Sequence, residues 1–250
     1  MVRSFWQNEF ASYDRHFLSE LISPVQNKVG QLLMSPPLRN ILGQVRNRVD
    51  LRYIMDHRKI FIANLSKGTL GADKSNLLGS VLVARFELAA MSRADLPESN
   101  RQDFYLYIDE FHNFSTDSFA EILSEARKYR LNLTLSHQYL GQLEPKIASA
   151  VFGNVGSLVA FRLGDSDALH LEHELGRTYA PETISGMENF EVCARLLLHG
   201  RQQLAFTGTT LPPLGRRHGC RENIIARSRQ RFAASRTVVE ERVNRWLNLD

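Results

Sequence analysis

Apolar positions recur along this chain with two different periods, and each change of period marks a change of element. Residues 1–50 are mostly polar, but from Phe17 to Leu33 apolar side chains return at helical spacing and stop before Pro36-Pro37. The run Lys59 to Leu65 predicts a buried strand, and Gly68 to Asp73 a glycine-bearing loop. Ser75 to Met91 predicts a helix that is apolar on most faces and therefore largely buried. A polar link, Arg93 to Asp103, leads to the strand-like run Phe104 to Ile108. Helix (about 117–129), strand (131–136), short helical connection (139–152) and strand (157–163) follow in turn. The next helix begins near Asp165-Ser166-Asp167, which can cap it. Glu191–Leu198 and Gln202–Thr207 predict a hairpin that turns at His199-Gly200-Arg201, and Val238 to Leu247 a closing helix. Strand and helix patterns in alternation predict an α/β fold. Three segments are expected: a helical stretch over 1–57, the core over 58–214, and an Arg-rich helical tail over 215–250.

With 250 residues, 43% of them hydrophobic, the chain can bury one large core. No apolar run approaches the roughly 20 residues that span a bilayer, and the first residues carry no signal-peptide pattern. Cys193 and Cys220 match no metal or redox spacing, which suggests a reducing cytoplasm with both thiols buried. The net charge of +4 is mild but uneven. Arginines dominate from Arg216 to Arg245, as on a solvated basic helix or a face for an anionic partner.

The candidate chemistry starts at the end of the run Phe104-Tyr105-Leu106-Tyr107-Ile108, where Asp109-Glu110 follow directly. An apolar strand tipped by two acids fits a Walker B arrangement, in which the first acid serves Mg²⁺ and the second polarises the water that attacks a γ-phosphate. Three further features come in order: Ser124-Glu125-Ala126-Arg127-Lys128-Tyr129 at a helix end, Leu133-Thr134-Leu135-Ser136-His137-Gln138 at a strand end, and Phe161-Arg162 at another strand end. In a parallel sheet the strand ends share one edge, where open α/β sheets place ligands. A carboxylate pair, an amide and guanidinium groups would then converge on a phosphate. Each feature also has a plainer reading. The helix dipole alone favours Arg127 and Lys128 where they stand. Gln138 could cap a helix, and Arg162 could pair with Asp165 or Asp167. His112 and His137 have no partners at metal-ligand spacing and read as structural.

Taken together, the strings from Tyr105 to Phe114, Ile122 to Tyr129, His137 to Leu143 and Gly153-Asn154-Val155-Gly156 resemble the C-terminal half of the HerA/FtsK-type ATPases. Within that group they are most similar to the TraG/TraD-like coupling proteins of type IV secretion, and the resemblance covers roughly residues 27–210. Arg39-Asn40-Ile41-Leu42-Gly43-Gln44 and Leu65-Ser66-Lys67-Gly68 also resemble stretches that precede Walker B there. The resemblance implies a RecA-like P-loop NTPase core, ATP and Mg²⁺ as ligands, and a ring, as a hexamer, that moves DNA through its centre in conjugation. It implies that Asp109 serves Mg²⁺, Glu110 is the catalytic base, Gln138 the sensor, and Arg127 the finger offered to a neighbouring subunit. Arg162 is expected at the nucleotide. A relaxosome or secretion-channel protein is the expected partner.

The departure from that pattern is the absence of any G-x-x-x-x-G-K-[ST] string. The nearest, Gly68-Thr69-Leu70-Gly71-Ala72-Asp73-Lys74-Ser75, puts Asp73 where backbone N–H groups would wrap a phosphate. The expectation is a truncated or split ATPase whose Walker A cradle lies in an upstream segment. Alone it would bind nucleotide weakly, hydrolyse it negligibly and expose unpaired strand edges. A degenerate P-loop at Lys74 is the lesser reading. Arg216, Arg217, Arg221, Arg227, Arg229 and Arg231 are candidates for DNA phosphates. Two other functions remain open: a non-catalytic module that binds DNA or a relaxosome protein, and a HerA-like helicase of DNA repair. The expected location is the cytoplasm, with any attachment to the inner face of the membrane supplied by N-terminal segments outside this sequence.

Overall fold

The computed structural model describes residues 2–116, 119–213, 215 and 218–247. In chain order the helices and strands are α1 (Val2–Ser4), α2 (Arg15–Met34), α3 (Pro36–Leu42), α4 (Leu51–Asp56), α5 (Lys67–Leu70), α6 (Ala72–Met91), β1 (Phe104–Ile108), α7 (Phe119–Glu125), β2 (Leu131–Leu135), α8 (Pro145–Asn154), β3 (Leu158–Ala160), α9 (Asp165–Glu174), α10 (Pro181–Ser185), β4 (Glu191–Arg195), β5 (Leu197–Leu198), β6 (Arg201–Gln202), β7 (Phe206–Thr209), α11 (Arg221–Phe232) and α12 (Arg236–Leu247). The fold is α/β, as the alternating pattern predicts. It divides into two compact units, one built from 1–49 with 219–250 and the other from 50–218.

In the first unit, α3 meets α12. Asn40 Nδ2 donates to Glu240 Oε1 at 3.1 Å, and Arg236 Nε donates to the same oxygen at 2.7 Å. The Arg236 guanidinium first, then Asn40, holds the Glu240 carboxyl below its ordinary range. Gly43 permits the approach, because a β-carbon there would stand 2.7 Å from the Val243 side chain. Helix α2 spans the helix expected from Phe17 to Leu33.

In the second unit, β1 and β2 form a parallel pair, Phe104 opposite Leu131 through Ile108 opposite Leu135. Helix α6 packs on it through one stripe, Ser75, Gly79, Val83, Phe86 and Ala90, at the helical repeat. Phe86 stacks on Phe104 at 5.5 Å and takes the Phe61 ring edge-on. Gly79 is required, since a β-carbon there would lie 2.2 Å from the Phe114 ring. A separate antiparallel sheet runs β3-β4-β7. It packs against α9 and α10 through Ala160, Ala168, Leu171, Leu175, Ile184, Met187 and Cys193. The hairpin β5–β6 turns at His199-Gly200, both at positive φ (50° and 74°), as a tight two-residue hairpin requires.

Several sequence expectations fail for identifiable reasons. Lys59 to Leu65 forms no strand; Ile60 is 90% and Ile62 78% exposed, while Phe61 and Leu65 are half-buried. No described strand pairs with this apolar run, so its backbone has no ladder to join. The glycine loop contains the short helix α5 and ends at Gly71, whose φ of +86° breaks the helical path before α6. Helix α6 is apolar on several faces but buried on one, leaving Leu77, Val81, Leu88 and Met91 exposed. The predicted hairpin does form, but in two stretches, β5 with β6 next to the turn and β4 with β7 beyond it, offset by one residue. Cys193 is buried, which pushes its thiol up, but Cys220 is exposed.

The polar link before β1 conceals a buried arginine. Arg93 is 0% exposed. Its Nε stands 3.0 Å from Asp56 Oδ1, Nη1 donates to Tyr129 O at 3.0 Å, and Nη2 donates to Gln102 O. One side chain thereby ties the end of α4, the entry to β1 and the entry to β2. Burial pulls its pKa down and the Asp56 charge opposes that pull.

Candidate functional site

The parallel register fixes the site. Because Ile108 lies opposite Leu135, the next residues, Asp109 and Ser136, emerge side by side at the carboxyl ends of both strands. Ser136 N donates to Ile108 O at 3.1 Å and Phe111 N to Ser136 O at 3.0 Å, so the ladder continues one step beyond the strands. Phe111 is fully buried, stacked on Phe119 at 5.8 Å and edge-on to His137 at 5.2 Å. This aromatic anchor holds the turn that presents the acids.

Asp109 Oδ1 accepts from Ser136 Oγ at 2.7 Å and from Glu110 N at 3.0 Å. One carboxylate oxygen is thus fixed, and Oδ2 accepts no hydrogen bond among the described residues. Mg²⁺ is commonly held by one or two carboxylates plus waters and phosphate oxygens. An exposed aspartate with one oxygen locked and the other open fits that role. Glu110 follows at φ 51°, ψ 45°, a left-handed conformation that costs a non-glycine residue roughly 1–2 kcal/mol. Strain of this kind concentrates at functional turns. Its Oε1 accepts from Gln138 Nε2 at 2.9 Å, and its Oε2 stands 3.4 Å from His112 Nδ1. Gln138 therefore spends its side chain on Glu110; the helical turn after it is capped by Gln142, whose Oε1 accepts from Gln138 N and Tyr139 N.

Asp109, Glu110 and Gln138 come together as their order suggests. Ser136 and His112 complete the cluster; in the sequence His112 has only a structural reading and Ser136 no role of its own, although register alone places Ser136 beside Asp109. Asn113 adds a further link. Its Nδ2 donates to Glu110 O at 3.0 Å, while its Oδ1 accepts from Lys67 Nζ at 2.7 Å. Lys74 lies instead in the first turn of α6.

Arg127 is elsewhere. It is exposed in the 3₁₀ turn Ala126–Tyr129 that enters β2, at the opposite end of the strand from Gln138. A five-residue strand is roughly 16 Å long, so Arg127 does not face the Glu110 of its own chain. Arg162 follows β3, which joins the antiparallel sheet; the predicted common edge with the acid pair is not formed by strand pairing. Gly164, not an aspartate, is the N-cap of α9, and Asp167 Oδ2 accepts from Leu140 N at 2.8 Å. Of the tail arginines, Arg221, Arg227, Arg229 and Arg231 are exposed on α11, while Arg216 and Arg217 lie outside the described residues. Arg221 pairs with Glu222 at 2.5 Å and Arg231 lies over Phe232. At 100° per residue the four point around the helix and form no single basic stripe. No described helix is long and apolar enough to cross a membrane.

Neither a protein-family model nor a curated protein matches the chain. Solved structures do. The bacterial conjugative coupling protein TrwBdeltaN70 aligns with a TM-score of 0.45 at 16% identity, over 54% of this chain and 38% of that one. The genome packaging NTPase B204 of Sulfolobus turreted icosahedral virus 2, in complex with AMPPCP, aligns with a TM-score of 0.39 at 12% identity, over 66% of this chain and 73% of that one. The same NTPase in complex with ATP-gammaS aligns with a TM-score of 0.39 at 13% identity. This chain thus spans under two fifths of the coupling protein's length.

Proposed function

We propose that this chain is the Walker B-bearing part of a RecA-like, ring-forming ATPase that moves DNA, of the conjugative coupling type. The observation that carries this reading is the 2.9 Å bond from Gln138 to Glu110, at the carboxyl ends of two parallel strands and beside an aspartate locked by Ser136. In this reading Glu110 takes a proton from water as the water oxygen attacks the γ-phosphorus. The bond from that phosphorus to the β–γ bridging oxygen breaks, and ADP leaves with the electron pair. Gln138 holds the Glu110 carboxylate in place and senses the γ-phosphate. Asp109, through its open oxygen, serves Mg²⁺, which would neutralise phosphate charge. Arg127, far from its own acid pair, suits a finger reaching a neighbouring subunit of a hexameric ring, where such arginines contribute about 10³–10⁵ in rate. Arg162 at the nucleotide and the arginines of α11 on DNA phosphates complete the proposal.

The phosphate cradle is assigned to a segment outside this sequence. Parallel sheets are normally covered on both faces, and a two-stranded one is marginal alone. Here Tyr105 is 59% and Tyr107 72% exposed. Further strands carrying a P-loop would pair at the sheet's edge, and the helices that connect them would cover that face. A non-catalytic module that binds DNA or a relaxosome protein is favoured by a single observation, the lack of a P-loop string within the chain.

The test is reconstitution. Mixed with the Walker A segment, the chain should hydrolyse ATP, and Glu110→Gln should lower turnover by about 10²–10⁴ while ATP still binds. Full turnover by that variant would refute the assignment. Calorimetry on the chain alone should show no micromolar ATP binding; saturable micromolar binding would mean that the cradle lies within this sequence.

A further inference from the structure

We propose that Lys67 is a phosphate-contacting cation of this site. The inference rests on the nucleotide reading above and adds to it a group outside the Walker B strand. Lys67 opens the short helix α5, and its ammonium reaches Asn113 Oδ1 at 2.7 Å. The same amide donates through Nδ2 to Glu110 O. A single side-chain amide therefore separates the lysine charge from the backbone of the second acid.

The placement is fixed from both sides. Asn113 ends the turn that begins at the fully buried Phe111. On the lysine side, Ser75 Oγ, itself buried, donates to Leu65 O at 2.5 Å, and Asn64 Oδ1 accepts from Ser66 N at 3.1 Å. Among the described residues no carboxylate lies within ion-pair distance of Lys67. Holding a lysine side chain in one rotamer costs conformational entropy, and a bond to a neutral amide in solvent returns little of that. An ammonium one amide removed from the Glu110 backbone, bonded to that neutral amide and with two donors to spare, is arranged for an anion. The terminal phosphate oxygens of a nucleoside triphosphate, placed beside Asp109 and Glu110 with Mg²⁺, are that anion. Lys74, which a reading of the sequence as a degenerate P-loop would favour, makes no such link.

The experiment is an NMR titration of the full chain with millimolar tripolyphosphate and Mg²⁺, observing the side-chain amides of Asn113 and Gln138. Both should shift in the wild type. Lys67→Met should weaken the apparent affinity by about tenfold or more, the loss of one charge-assisted contact, and Lys67→Arg should retain most of it. A purely structural tether would move Asn113 in the unliganded spectrum of Lys67→Met and leave the affinity unchanged, which overturns the proposal. Loss of affinity in Lys74→Met but not in Lys67→Met overturns it as well, while leaving a phosphate site at Gln138 intact. No response at Asn113 or Gln138 in the wild type overturns the proposal for Lys67, while the nucleotide reading stands or falls with the reconstituted ATPase.

Discussion

Two ionic clusters in the second unit use similar groups to opposite ends. Around Arg93 a guanidinium is wholly buried and aimed at Asp56 and two carbonyl oxygens. Around Glu110 two carboxylates stand at the surface beside a left-handed residue: Asp109 is held through Oδ1 by Ser136 and Glu110 N with Oδ2 open, and Glu110 is held by Gln138 and faces His112. The first cluster is closed off within the fold, with both Arg93 terminal nitrogens bonded to carbonyl oxygens and Nε facing Asp56 as an ion pair, and it joins three chain segments. The second keeps acceptor capacity in reserve and carries backbone strain. Saturated ionic contacts build stability, and unsaturated ones at strained turns are where a ligand can act.

The largest expected effect that separates the two is Arg93→Met. It strips Tyr129 O and Gln102 O of their donor and leaves the half-buried Asp56 with Arg52 alone, and should destabilise the chain by about 1–3 kcal/mol in urea unfolding. A loss below 1 kcal/mol would mean that the knot is not the staple described. Glu110→Gly should move the other way: relieving the positive φ should raise stability by about 1 kcal/mol in the same assay. A destabilised Glu110→Gly would show that the turn is not strained. The smallest effect concerns Glu87, in the hollow between α6 and α7 with Glu121 and Glu125. Burial first, then those two charges, raises its carboxyl above the ordinary range. A carboxyl raised in the folded state contributes stability below its ordinary pKa and loses it as pH rises through the folded value. Glu87→Gln should therefore raise Tm slightly at neutral pH, with the gain vanishing in acid; a gain that grows on acidification would reverse the assignment.

The contrast also explains what could be read in advance. The acid tip is local: five apolar residues and two acids in a row fix the strand and its end, and the parallel register then brings Gln138 back to Glu110. The knot is not local. Nothing near Arg93 in the sequence distinguishes it from a solvated arginine, because its burial is set by Asp56, Gln102 and Tyr129. Lys59 to Leu65 misled for the converse reason: the apolar run is strand-like, but a strand needs a partner, which no described residue supplies. Arg162 stands at a strand end as expected, yet which sheet a strand joins is decided by pairing energies that its own residues do not encode. Lys67 lay inside a recognised string, but its link to Asn113 depends on the turn beyond β1.

The exposed tyrosine face of β1 makes the free energy of this unit a property of its surroundings. A sheet that gains cover only when another segment docks is stabilised by RT ln(1 + [L]/Kd), so its melting temperature rises with the concentration of that segment. Abundance in the cell would then follow the supply of the partner, with the uncovered chain passing to proteolysis and the covered one spared.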